Sequence, residues 1–226
     1  MIRDMAISTI TIGGLLTGCL ASSILVAGEF ERQTVLAVLC KPVSRVHFIL
    51  GKYLGILAAT CLLVLSQGLV LEVALIIRNY STVQSGLTNF SDMIDFVCIL
   101  GICLSLLQIL ILTAISLVLS LYLNTIANLT ICLFFFIFCN TFSYMLPIHI
   151  DSHAGVNAVA AVCYAVFPNF QTLNMTVINE VVAIPSSLWQ ESNVMQYIVC
   201  VLIHSTIYCA AVVWLAIFLF KRKEIA

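Results

Sequence analysis

The sequence predicts an all-α membrane protein, a polytopic bundle of five transmembrane helices, on three observations. Hydrophobic residues fill 62% of its 226 positions, whereas charged residues fill only 8%, against about one quarter in an ordinary soluble domain. Mean hydropathy is +1.17, too high for a water-facing globule or a disordered chain. The apolar residues also gather into five stretches of the length a helix needs to cross a hydrocarbon core, roughly 20 residues. With nine Lys and Arg against ten Asp and Glu and a net charge of −1, there is no basic stripe, and nucleic acid is set aside as a partner.

The expected spans are 5–27, 53–77, 94–119, 128–146 and 194–220, in a single transmembrane domain covering 1–226. They contain only two charges, Glu72 and Asp95, each within a turn or two of its span's end, where a carboxylate can reach headgroups or water. The first span includes Leu16-Thr17-Gly18-Cys19, a pattern at which bacterial lipoprotein signals are cut. Such signals carry a basic start and give way to polar sequence. Here Asp4 offsets Arg3 and the chain stays apolar beyond Cys19, so a crossing is the better reading. Gly14-x-x-x-Gly18 and, further on, Gly51-x-x-x-Gly55 permit close helix approach. Gln67, Gln108, Asn140 and His204 lie inside spans and can hydrogen-bond between helices. Eight of the ten cysteines lie in apolar runs, and no C-x-x-C pair occurs, so they read as small buried hydrophobes.

Orientation follows from the basic residues, which the cytoplasmic side retains. Arg32, Lys41, Arg45, Lys52, Lys221, Arg222 and Lys223 fall on one side of the spans, and only Arg3 and Arg78 on the other. The C-terminus is therefore expected in the cytoplasm, and five crossings put the N-terminus outside, an odd start that suggests a missing initial span.

Residues 28–52, between the first two spans, are the most informative stretch. A charged start (Glu29, Glu31, Arg32) leads into the apolar run 35–40, too short to cross and without a clean stripe, which needs cover from the bundle, lipid or another protein. Pro42 lacks an amide hydrogen and biases Lys41 away from helical angles, so an incoming helix stops there. Ser44 suits the N-cap of a new helix in which Val46, Ile49, Leu50 and Tyr53 share one face. The expected product is an amphipathic elbow continuous with the second span. Physics alone leaves two roles for it, a basic lipid anchor or a mechanical handle.

The glutamate pair, Thr34-Val35, the Leu-rich stretch, Lys41-Pro42-Val43-Ser44-Arg45 and Gly51-Lys52 together resemble the coupling-helix region of ABC transporter permeases of the type-2 export class. They are most similar to the multicopper-enzyme-maturation subgroup. Phe167-Pro168-Asn169-Phe170 also looks like that family's aromatic-Pro-Asn turn, and Lys221-Arg222-Lys223 like its short cytoplasmic tail. Family members usually have six spans, so five matches loss of the first.

The resemblance implies a handle: Glu29, Glu31, Thr34, Leu39, Lys41, Pro42 and Arg45 at or beside a contact with a separate ATP-binding subunit. It further implies pairing with a second permease copy or homologue, membrane lipid around both, export of an unidentified substrate, and residence in a bacterial cytoplasmic (inner) membrane. In the external region 147–193 it implies a pair of helices at the outward end, which suits the two short apolar pieces closed by Pro168 and Pro185. His149, Asp151 and His153 could face a metal, but three groups without a fourth read better as solvated polar residues.

Gly51-Lys52 is followed by Tyr53 and has Val46 where a nucleotide-binding loop needs its first glycine. No chain of intramembrane carboxylates suggests proton coupling, and no Ser/His couple suggests proteolysis. The chain is thus expected to be non-catalytic and cofactor-free, with ATP hydrolysed on a partner. A non-ABC carrier or channel, and a non-transporting assembly protein, are the rival readings.

Overall fold

The computed structural model describes residues 2–28, 45–83, 96–145, 167, 168, 170, 173 and 191–222. Among them the regular structure is entirely helical. Helix α1 (Ile2–Ser22) runs into a π-helical turn at Ser23–Ala27. Helix α2 covers Arg45–Val83, α3 Phe96–Ser120, α4 Thr125–Met145 and α5 Glu191–Arg222. A short turn at 121–124 joins α3 to α4, closed by the Tyr122 and Leu123 amides donating to the Leu119 carbonyl.

Four helices contain stretches long and apolar enough to cross a membrane: Arg3–Ala27, Val46–Arg78, Cys98–Ser120 and Ile198–Phe220. The corresponding stretch of α4, Thr125–Thr141, is shorter than the other four. At 1.5 Å per residue it covers about 25 Å, slightly less than a hydrocarbon core of about 30 Å.

Helix α3 is the post around which the others stand. It packs against α1, α2, α4 and α5, while α1 also touches α2 and α4, and α2 touches α5. The span of α3 is accordingly 61% buried and that of α5 only 17%. Much of the remainder is apolar surface: Leu54, Leu62, Leu65, Leu69, Val70, Val73 and Ile77 lie exposed along α2, and a helix apolar on all sides requires apolar surroundings.

In hydrocarbon no water completes a hydroxyl's bonding, so these helices turn their Ser and Thr side chains back on themselves. Thr11 donates to the Ile7 carbonyl, Thr60 to Ile56, Ser105 to Ile102, Thr113 to Leu110 and Ser205 to Val201.

The first glycine pair behaves as expected. A Cβ at Gly14 would collide with Ile109 of α3 and Val64 of α2, and one at Gly18 with Thr113 of α3, so α1 sits close against α3 only because those side chains are missing. The second pair does not: Gly51 and Gly55 have nothing within 4 Å of the Cβ position and are exposed. Identical spacing fails there because that face of α2 meets no helix among the described residues.

The expected face of α2 is also shifted. Ile49 and Tyr53 are buried and the stripe continues through Ile56, Thr60 and Val64, but Leu50 is 36% exposed on its edge. Of the intramembrane polar residues, Gln108 is buried, Gln67 lies over Gly13, and His204 is exposed. Asn140 bonds the Phe136 carbonyl of its own helix at 3.2 Å, not a neighbouring helix. Phe167 and Phe170 pack on α4, with ring centroids 5.4 Å from Phe138 and 6.1 Å from Phe136 respectively. That aromatic step is thus packed against the C-terminal half of α4.

Candidate functional site

The segment expected to couple to a partner follows Gly28 and is rejoined by the described bundle at Arg45. Glu29, Glu31, Thr34, Leu39, Lys41 and Pro42 lie outside the described residues, as do His149, Asp151, His153, Asp95 and the proposed cap Ser44. Arg45 is the first residue of α2. What the structure describes is how the two exits of the segment are held.

The entering side is one unbroken helix. From Arg45 to Val83 there are 39 residues, about 58 Å of rise, nearly twice the thickness of a hydrocarbon core. The elbow's second helix and the second crossing are the same rigid body, as the sequence led us to expect. The leaving side is the π-turn Ser23–Ala27, in which one extra residue is accommodated and the usual i to i−4 pairing is broken.

Lys52 closes the gap between the two exits. Its Nζ donates to the carbonyl of Leu25 inside the π-turn, and it also stands 4.8 Å over the ring of Phe48. Beneath it Val26, Phe48 and Ile49 pack with Leu117 and Leu121 of α3, and the ring of Phe48 stacks on Phe220 of α5 at 5.9 Å. Helices α1, α2, α3 and α5 therefore converge on one apolar cluster at the base of the segment.

Next to it lies a polar knot. Asn128 of α4 donates through Nδ2 to Ser23 Oγ at 2.6 Å and to Ser116 Oγ at 2.9 Å. The Ser22 and Ser116 hydroxyls are bonded to each other, both Ser22 and Ser23 bond the Cys19 carbonyl, and Cys132 reaches Asn128 Oδ1 at 3.4 Å. Every one of these side chains is fully buried. A satisfied polar network in an apolar core has few alternative arrangements, so it fixes how α1, α3 and α4 meet. Sequence reading missed it because Ser23 and Asn128 are 105 positions apart. The only local signal was the Ser22-Ser23 pair in an otherwise apolar run.

No group of three or more His, Cys, Asp or Glu that could hold a metal occurs among the described residues. The site's chemistry is mechanical: a rigid arm, a helix end with an irregular turn, and side chains that tie them together.

The sequence profile described as ABC-2 family transporter protein matches residues 1–225, essentially the whole chain. The chain belongs to the ABC-2 transporter family. It is a membrane permease of the ABC transporter class, a transmembrane component of a kind that is generally non-catalytic. Neither the curated proteins nor the solved structures hold a match to the chain. In this ABC-2 permease the Lys52–Leu25 bond and the apolar cluster tie the two places where the chain passes into and out of the segment between Gly28 and Arg45.

Proposed function

We propose that this ABC-2 permease is driven through the segment 29–45 by a separate ATP-binding subunit, pairs with a second permease copy or homologue, and exports its substrate. The reading places the basic end of the bundle and the C-terminus in the cytoplasm of a bacterial cell, with the protein in the inner membrane. It also places the chain nearest the multicopper-enzyme-maturation subgroup, on the Lys41-Pro42-Val43-Ser44-Arg45 run.

The supporting observation is the single helix Arg45–Val83. A helix is stiff along its axis, so a push delivered at its first turn tilts the whole arm. Because Lys52 bonds the Leu25 carbonyl, the same push also reaches the end of α1. Closure of two ATP-bound subunits beneath a permease pair would then alter access to a cavity between the permeases. Glu29, Glu31, Thr34, Leu39, Lys41, Pro42 and Arg45 are the residues assigned to the contact.

The test is co-purification with a candidate ABC ATP-binding subunit, together with ATPase activity in a lipid bilayer. Substituting Glu31→Ala and Arg45→Ala together is expected to lower association about tenfold and to remove the stimulation of ATPase activity by the permease. Association and stimulation that match the unmodified chain would overturn the coupling role.

A further inference from the structure

A groove of about 590 Å³ runs along the outside of the bundle between α2 and α5, with α3 as its floor. Leu54 and Leu57 line one wall, Ala210, Val213 and Trp214 the other, and Leu107 lies beneath. The volume falls within the range of about 300–1,000 Å³ usual for small-molecule sites. Its deepest polar group is already engaged: the Tyr53 hydroxyl pairs with Cys209 Sγ at 2.7 Å and approaches the Leu110 carbonyl at 3.4 Å. The groove therefore offers hydrocarbon and almost nothing else. A polar guest gains no bond there.

Its length and position narrow the guest. Along α5 the lining extends from Ser205 to Ile217, about 18 Å of helix, close to the roughly 15 Å depth of one leaflet's hydrocarbon. At one end it opens toward the first turns of α2 and the last turns of α5. Where α2 begins and α5 ends, the sequence carries Arg45, Lys52, Lys221, Arg222 and Lys223 against a single acid, Glu224, with Lys52 already given to the Leu25 carbonyl. Interfacial anchoring marks the same level: Trp214 stacks on Phe218 at 5.9 Å, and the Arg222 guanidinium stands 4.9 Å over Phe218. Aromatic rings and basic side chains of this kind sit where hydrocarbon meets headgroups.

We propose that this groove is a binding site for an anionic phospholipid, its acyl chain lying against Leu54, Ala210 and Trp214 and its phosphate meeting the basic ends of α2 and α5. Apolar walls of one leaflet's depth match the chain, and Arg222, with the excess of basic residues in the sequence about these two ends, matches the headgroup. The inference rests on the orientation given under the proposed function, because anionic lipid is concentrated in the cytoplasmic leaflet. The occupied groove would join the arm, α2, to α5.

The experiment uses the full chain in detergent, without any ATP-binding subunit. Native mass spectrometry follows the binding of phosphatidylglycerol against phosphatidylcholine of identical acyl chains. A phosphatidylglycerol with a photoreactive group in its acyl chain maps the contact. Phosphatidylglycerol is expected to bind about tenfold more tightly, in line with one or two basic contacts at the surface. Crosslinks are expected in the peptides containing Leu54 and Trp214. Ala210→Trp, which fills the groove, should lower occupancy about fivefold or more, whereas Val73→Trp, on the exposed side of α2 away from the groove, should leave it unchanged.

Equal binding of the two lipids, or crosslinks spread evenly over the lipid-facing residues, would overturn the proposal in favour of annular contact. Crosslink mapping on the unmodified chain decides this even if Ala210→Trp does not fold. Because neither ATPase activity nor transport is read, failure here leaves the coupling role standing. Failure of the coupling role likewise leaves lipid binding intact.

Discussion

Asn128 donates a hydrogen bond of 2.6 Å to Ser23, joining the first turn of α4 to the π-turn that ends α1. Its amide also serves Ser116 of α3, so one side chain binds three helices at the level where the coupling segment leaves the bundle. The residues most exposed to mutational damage are therefore not those with the most conspicuous chemistry in the sequence.

Asn128→Ala should destabilise the chain by about 1–3 kcal/mol, since it deletes the amide that bridges the Ser23 and Ser116 hydroxyls in a dry core and leaves each with one bond fewer. Ser23→Ala, which removes one partner and leaves Asn128 its bond to Ser116, should cost less. Thermal unfolding in detergent measures both, and equal melting temperatures for Asn128→Ala and the unmodified chain would contradict the network's role.

The two glycine pairs should separate cleanly. Gly18→Ala drives a methyl group into Thr113, a stiff β-branched side chain on the central helix, and is expected to cost about 1–3 kcal/mol. Gly55→Ala meets open space in the middle of a helix and should stabilise by roughly 0.5–1 kcal/mol. The readout is again the melting temperature, taken for the two variants side by side.

Lys52→Met keeps the apolar stem but removes the donor to Leu25 and the charge over Phe48. Loss of a half-exposed cation–π contact amounts to about 0.5–1 kcal/mol, so folding should survive. Stimulation of a partner's ATPase activity should nevertheless fall severalfold, because the arm and the end of α1 no longer move together. A proportionate loss of stability and stimulation would point to a packing role only.

Glu72 presents the opposite case. Both carboxylate oxygens are shielded from solvent and have no hydrogen-bond partner among the described residues. The position next to the end of the span led us to regard it as tolerated, and proximity to headgroups does not relieve atoms that are enclosed. Glu72→Met should raise stability by about 1–3 kcal/mol by deleting two unsatisfied acceptors. A lower melting temperature for Glu72→Met only in the assembled permease would instead reveal a cation supplied by the assembly.

Much of the architecture was legible because hydropathy alone marks a crossing: the helices at Ile2–Ser22, Arg45–Val83, Phe96–Ser120 and Glu191–Arg222 all coincide with apolar runs. The joining of elbow and span into one helix was legible too, since nothing between Arg45 and Tyr53 breaks a helix. Which side of each helix faces inward was not. In water Leu50 and Ile49 would be separated by the need to hide one of them, but in lipid both sides are acceptable and the pattern loses its meaning. The same indifference made Gly14-x-x-x-Gly18 and Gly51-x-x-x-Gly55 look alike. The polar knot escaped for a different reason: its members are ordinary serines and one asparagine, and only tertiary contact makes them a unit.

The π-turn at Ser23–Ala27 stores one surplus residue in the winding of α1. Unwinding it into regular α-helix would advance everything beyond by one position and swing the outgoing strand of chain through about 100°. Such a swivel would first have to break the Ser23–Asn128 bond and lift Val26 from Leu117 of α3. The buried network is therefore a catch on the one irregular turn of α1, holding fixed the direction in which the chain departs from the bundle.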